Sequence, residues 1–226
     1  MKRKRLLVKR LGRIDYSTAL AMQKDAERSV QLSTGPDTLF LLEHPHTLTI
    51  GRRGESSNVL LPSTLLEERG IEVFETDRGG KVTYHGLGQI VGYPIINLSP
   101  DREDVHRFVR DLEEVLIRVL SEFGITAFRI KGLTGVHTMR GKVAAIGVHI
   151  ARWVTTHGFA LNVNTDLSFF NLIVACEGEP VTSMRELLEG DVDIASVEDG
   201  IIKHFADVFD MIAEEFYEPR PALTNI

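Results

Sequence analysis

The stretch from Ala127 to Val163 restricts the fold more than any other part of the chain. Glycines cut it into short runs rich in Val, Ile and Thr, which predicts several adjacent strands of one sheet. It follows the clearest helical pattern in the sequence. Between about Asp104 and Phe123, the residues Val105, Phe108, Val109, Leu112, Val115, Leu116, Val119 and Leu120 recur at helical spacing, with Gly124 just beyond. Upstream, Asp15 can cap a helix through Ala19, Leu20, Met22, Ala26 and Val30. The runs Thr38 to Leu42 and Thr47 to Ile50 read as strands separated by His44-Pro45-His46. Thr64 and Glu67 have capping-box spacing for a short helix stopped by Gly70, and Ile71 to Phe74 resumes as strand. A last amphipathic helix is expected from Glu198 to Phe216. Strands grouped between helices, without strict strand-helix-strand alternation, predict an α+β fold with a mixed or antiparallel sheet flanked by helices. Glycine and proline do not pool at one boundary, and no repeat appears, so residues 1–226 are expected to form a single domain.

Charge and cysteine usage narrow the class. The 226 residues carry 26 Lys+Arg against 32 Asp+Glu, a net charge of -6, too acidic for a general phosphate-tracking nucleic-acid binder. One cysteine, Cys176, permits no internal disulfide and fits a reducing compartment. The basic start MKRKRLLVKRLGR is interrupted by Lys9 and Arg10 after only three apolar residues. No apolar run approaches the ~18 residues of a membrane span, so a cytoplasmic protein without membrane contact is expected, its first basic residues lying on a solvated strand.

Several kinds of chemistry lack their residues. Gly135 and Gly141-Lys142 have the wrong spacing for a phosphate loop, and Val143 stands where a hydroxyl would be needed. There is no G-x-S-x-G elbow and no H-E-x-x-H pair, and His44 with His46 lacks nearby ligands at zinc-like spacing, so no metal or cofactor is expected. The stretch Arg78-Gly79-Gly80-Lys81-Val82-Thr83-Tyr84-His85-Gly86 is different. Paired glycines let backbone approach a ligand, and Arg78, Thr83, Tyr84 and His85 bring polar groups that a plain hairpin does not need. Lys142 sits on a run of small residues, Gly141 to Gly147. Cys176 ends the apolar run Leu172 to Ala175, where a lone cysteine is by itself more often a small hydrophobe than a nucleophile.

Together these segments resemble the lipoyl/octanoyl transferase family. The resemblance rests on Arg78-Gly79-Gly80, Thr83-Tyr84-His85-Gly86, Gly88-Gln89, Gly141-Lys142, Ala145-Ile146-Gly147, His157 to Asn164, Asp166-Leu167, Phe170, Cys176 and Val181-Thr182-Ser183. It covers about Leu39 to Ser183. The departures are local: Ala175 and Glu177 flank the cysteine where the family usually has Pro and Gly, Leu87 stands where it has Pro, and His137 replaces a typical Trp. A fold similar to the catalytic domains of biotin protein ligase and lipoate ligase is implied.

The resemblance also implies a ping-pong acyl transfer with Cys176 as nucleophile and Lys142 as its activator. The acyl pocket would be lined by Arg78, Gly79, Gly80, Lys81, Val82, Thr83, Tyr84, His85, Ala145, Ile146, Gly147, Gly158, Phe159 and Ala160. The implied donor is octanoyl-acyl carrier protein, and the acceptors are lipoyl domains of 2-oxoacid dehydrogenase complexes or the glycine cleavage H protein. Carrier proteins are acidic, so Arg52, Arg53, Arg78 and Lys81 are candidates for a local docking face. An ATP-dependent lipoate-ligase-like enzyme and a non-catalytic carrier-binding homologue are the competing readings. No sustained heptad asks for a partner copy, so a monomer is expected.

Overall fold

The computed structural model describes residues 3–174 and 179–216. A seven-stranded mixed sheet carries the molecule, in the order β10-β1-β2-β6-β9-β8-β7. Its strands are β1 (Lys4–Arg13), β2 (Asp37–Glu43), β6 (Gln89–Ile95), β7 (Val136–Thr138), β8 (Gly141–Ala151), β9 (Val154–Asn162) and β10 (Met211–Glu215). The β10, β1 and β2 strands are parallel, and every pairing from β2 to β7 is antiparallel. A second, three-stranded sheet of β3 (Thr47–Ile50), β4 (Glu72–Glu75) and β5 (Val82–His85) stands beside it in the order β4-β3-β5. The expected mixed sheet flanked by helices is present, and the small sheet adds to it.

Both faces of the large sheet are covered. On one face α3 (Val105–Glu122) and α5 (Ile194–Phe209), which follows the short α4 (Met184–Leu188), bury Leu39, Leu41, Ile90 and Leu161; on the other α1 (Tyr16–Gln31) packs over Phe40, Leu42, Val91 and Tyr93. Strand alternation sends Leu39 and Leu41 one way and Phe40 and Leu42 the other, which explains why Thr38 to Leu42 reads as continuous apolar sequence. The α3 helix starts as expected, with the Asp104 carboxylate accepting from the backbone N–H groups of His106 and Arg107.

Two boundaries and one cap differ from the sequence expectation. The α2 helix (Ser63–Glu68) starts after Pro62, with no side-chain cap, so Thr64 and Glu67 lie inside it and form no capping box. Asp15 occupies the N-cap of α1 without a side-chain cap bond. The last helix begins earlier, where Asp193 caps Ser196, and stops at Asp210, whose φ of 54° is left-handed. Ile212 then belongs to β10, paired in parallel with β1, and Phe216 lies beyond the strand: an open sheet edge wins over the helical spacing. Among the described residues no helix is long and apolar enough to cross a membrane.

Candidate active site

The two sheets meet over a pocket. Its empty volume, open mouth included, is about 800 Å³. Arg78, Gly80, Lys81, Val82, Thr83 and His85 line it from the loop before β5 and from β5 itself. Lys142, Ala145, Ile146 and Gly147 come from β8, and Gly158, Phe159 and Ala160 from β9. Register explains the grouping, since Ala145, Ile146 and Gly147 pair with Ala160, Phe159 and Gly158. Gly147 must lack a side chain, because a Cβ there would lie 2.7 Å from the Gly79 carbonyl oxygen. That closeness lets the loop fasten to the strand, with Gly79 N–H donating to the Val148 carbonyl at 2.9 Å.

Two expected pocket residues serve elsewhere. Gly79 makes this fastening and is absent from the lining. Tyr84 falls on the opposite face of β5 from Thr83 and His85; its hydroxyl bonds His46 Nδ1 at 2.7 Å and its ring stacks on Phe169 inside the small sheet's core. Arg78 corrects a further expectation. It is only 8% exposed, and its guanidinium donates to the Thr49 side chain and to the carbonyls of Thr49, Gly79 and Lys81. Arg78 therefore holds the loop together and offers no docking charge, whereas Arg52 and Arg53 are exposed.

The pocket has a buried polar end of which only Arg78 and His85 are expected from the sequence. Tyr16, Tyr93 and His157 join His85 and Arg78 there. His157 sits at a left-handed φ of 58°, held by a 2.6 Å bond from Nε2 to Asp77 and by its backbone N–H donating to Gln23 Oε1. Behind Tyr93, His44 is fully buried between the Ile14 carbonyl and the Tyr93 hydroxyl. Burial governs ionisation throughout this end. It pushes His44 down to about 4 and Tyr16 up to about 12, holds His85 well below the histidine range, and outweighs the pull of Asp77 on His157. Burial thus favours the neutral forms of these histidines and tyrosines, beside the Arg78 guanidinium.

At the other end of β8 lies Lys142. Its Nζ is 2.8 Å from Glu179 Oε2, and Thr134, Ile173 and Val181 complete this part of the lining. Buried Glu113 on α3 supports the approach to it, accepting from Arg110, Arg129 and the backbone N–H of Gly135. Cys176 lies outside the described residues. Ile173 before it and Glu179 after it both line the pocket. A cation beside a pocket of small and apolar residues suits a charged reaction centre with a slender chain alongside. His157 was within reach of sequence reasoning, because it opens the run His157 to Asn164 that carries the resemblance. Glu179 had no such signal.

Comparison with known proteins agrees over almost the whole chain. The model of the lipoyl protein ligase A/B catalytic domain matches residues 15–206. An octanoyltransferase of Solibacter usitatus is 50% identical over 205 residues, 90% of this chain and 92% of that protein. One from Geobacter metallireducens is 45% identical over 223 residues, 96% of this chain and all of that protein. In fold, the chain is similar to a bipartite lipoate protein ligase of Thermoplasma acidophilum (TM-score 0.73, 18% identity, 96% of this chain and 89% of that one). It is also similar to a biotin protein ligase of Aquifex aeolicus (TM-score 0.56, 15% identity, 90% and 70%). With half of the 205 aligned residues shared with a relative and the family model matching residues 15–206, the chain belongs to the lipoyl protein ligase A/B catalytic-domain family.

Proposed function

We propose that the protein is an octanoyltransferase that moves an octanoyl group from octanoyl-acyl carrier protein, through a thioester on Cys176, to the target lysine of a lipoyl domain. The observation that carries this reading is Lys142 at one end of a pocket that continues along β8 past Ala145, Ile146 and Gly147. From Lys142 to Gly147 the strand rises about 17 Å, which accommodates an eight-carbon chain of about 10 Å at ~1.5 Å per bond. The octanoyltransferase relatives support the same donor group.

The chemistry follows from the residues. A free thiol of pKa ~8.5 is only about 3% thiolate at neutral pH, so a neighbouring ammonium favours the nucleophilic form of Cys176. Exchange of one thioester for another is nearly balanced, and the later step from thioester to amide runs downhill, so no nucleotide is needed. Backbone N–H groups of the glycine-rich walls suit the oxyanion formed on the way. The acceptors are lipoyl domains of 2-oxoacid dehydrogenase complexes or the glycine cleavage H protein, and the donor docks through exposed Arg52 and Arg53 with Lys81.

Intact-protein mass spectrometry after mixing with octanoyl carrier protein tests the proposal. An octanoyl-sized increment is expected on the parent and none on Cys176→Ser. Product formed only from free octanoate with ATP would establish a ligase instead, and no adduct on the parent would leave a carrier-binding homologue.

A further inference from the structure

Three anchored segments bring their side chains to one carboxylate at the reactive end. Lys142 Nζ lies 2.8 Å from Glu179 Oε2, and His137 Nε2 lies 3.4 Å from the same oxygen. All three side chains are largely shielded, with exposures of 13%, 19% and 3%. Their backbones are tied together as well. Lys142 N–H donates to the Pro180 carbonyl at 2.8 Å, Thr182 N–H donates to the Lys142 carbonyl at 3.0 Å, and Lys142 pairs in parallel with Val181. Gly141 makes this possible at a φ of 134°, because a Cβ would stand 2.4 Å from the Pro180 oxygen. His137 is paired with Lys142 across β7 and β8.

This is unlike an ion pair between two waving surface side chains, which contributes little. Burial opposes ionisation of Glu179, yet the Lys142 ammonium and then His137 outweigh it and hold the carboxyl below its ordinary range. A lysine side chain has four rotatable bonds and a point charge that nothing in its own shape directs. A fixed carboxylate supplies the direction. Nucleophile, activator and a third group that orients the activator form the recurring arrangement of covalent catalysis.

We infer that Glu179 is the positioning residue that aims Lys142 at the acyl-transfer centre, with His137 steadying the carboxylate. The inference rests on the octanoyltransferase reading, with Cys176 as nucleophile. In the second half-reaction the acceptor amine attacks the thioester, the C–N bond forms and the C–S bond breaks. Lys142 takes the amine's surplus proton while giving one of its own to the departing sulfur, so the products are an amide and a free thiol. Glu179 stays ionised throughout and takes no proton.

The test compares the parent with Glu179→Gln, Glu179→Asp, Lys142→Ala and the Lys142→Ala/Glu179→Gln double variant. Both half-reactions are measured with octanoyl carrier protein and an apo lipoyl domain, alongside thermal unfolding. Glu179→Gln is expected to lower kcat by about 10- to 50-fold with donor KM and melting temperature close to parental, and Glu179→Asp to recover much of the loss. The double variant should turn over within about twofold of Lys142→Ala, because Glu179 acts through that lysine alone. Parental kcat in Glu179→Gln, or a double variant slower than Lys142→Ala by the full Glu179→Gln factor, would overturn the assignment. If Glu179→Gln proves misfolded, the Glu179→Asp variant decides: full or partial turnover supports the assignment, and loss as complete as in Lys142→Ala overturns it. A parent that forms no acyl-enzyme overturns the octanoyltransferase reading and this assignment with it. A normal acyl-enzyme, with Glu179→Gln turning over at parental rate, overturns the assignment alone.

Discussion

The two ends of the pocket treat polar groups in opposite ways. At the end proposed as reactive, Lys142 and Glu179 form a largely shielded ion pair with Nζ 2.8 Å from Oε2. At the buried end, histidines and tyrosines are packed so tightly that burial suppresses their charges; His44 and Tyr16 are moved to about 4 and about 12. The Tyr16 hydroxyl is buried without a hydrogen-bond partner among the described residues. The difference teaches that one sheet can host a proposed reaction centre and a rigid wall about 20 Å apart along β8, the first built on an ion pair and the second on buried histidines and tyrosines held in their neutral forms.

The comparison breaks most sharply at Lys142. Lys142→Ala should lower turnover by about 10³-fold while leaving the melting temperature near parental, since the side chain supports little of the core. Unchanged turnover in steady-state assays would remove the reactive end from the mechanism. At the buried end the prediction concerns stability. His44 has an ordinary value of 6.5 when unfolded and about 4 when folded, so the unfolded chain binds more protons between those values. Stability is full above about pH 6.5 and falls as the pH drops toward 4, by about 3 kcal/mol from His44 alone. Denaturant titrations across that window should show the loss, and His44→Gln should reduce it while His85 and His157 keep the remainder.

Between the two ends, Gly147→Ala would place a Cβ 2.7 Å from the Gly79 oxygen. Turnover of octanoyl donors should fall by about 10-fold, and shorter acyl donors should suffer less, because the strain is of overpacking size. Equal losses for all chain lengths would disconnect this position from the acyl group. Tyr93→Phe leaves His44 Nε2 buried without its partner and should cost about 1–2 kcal/mol in chemical unfolding, with kcat little changed. The smallest effect belongs to the rim. Arg52→Glu with Arg53→Glu should raise the donor KM a few-fold and weaken its salt dependence, and unaltered KM and salt dependence would exclude that face.

Sequence reasoning reached what depends on local pattern. The α3 helix with its start at Asp104, the apolar β2 strand and the β8 run of small residues all carry their signal in neighbouring positions. The hairpin joining β8 to β9 does not: Arg152 and Trp153 both adopt positive φ, at 52° and 61°, where Asn-Gly would have announced the turn. Tyr84 belongs to the run Arg78 to His85 that the family resemblance places at the pocket. Strand alternation turned it to the other face, a fact visible only once β5 has a definite register. Tyr16 and Glu179 reach the pocket from α1 and from the segment before Val181, through long-range packing that no local spacing encodes. His44, read as part of a proline loop, became a buried hydrogen-bonded group because α1 and β6 close over it.

The parallel pairing of β10 with β1 has a consequence for how the chain is made. The paired residues Lys4 and Met211 are roughly 200 positions apart, so this contact can form only after every other described element of the fold has been made. Until then β1 is joined only to β2, and its other edge presents unpaired backbone to any neighbouring nascent chain. Lys4, Arg5, Lys9, Arg10 and Arg13 lie along that strand and make it a poor template for edge-to-edge aggregation. A chain halted at Asp210 should stay in solution only while those charges are kept, as sedimentation of truncated variants would show. The basic residues of β1 guard a strand whose second neighbour is the last described element of the fold to be made.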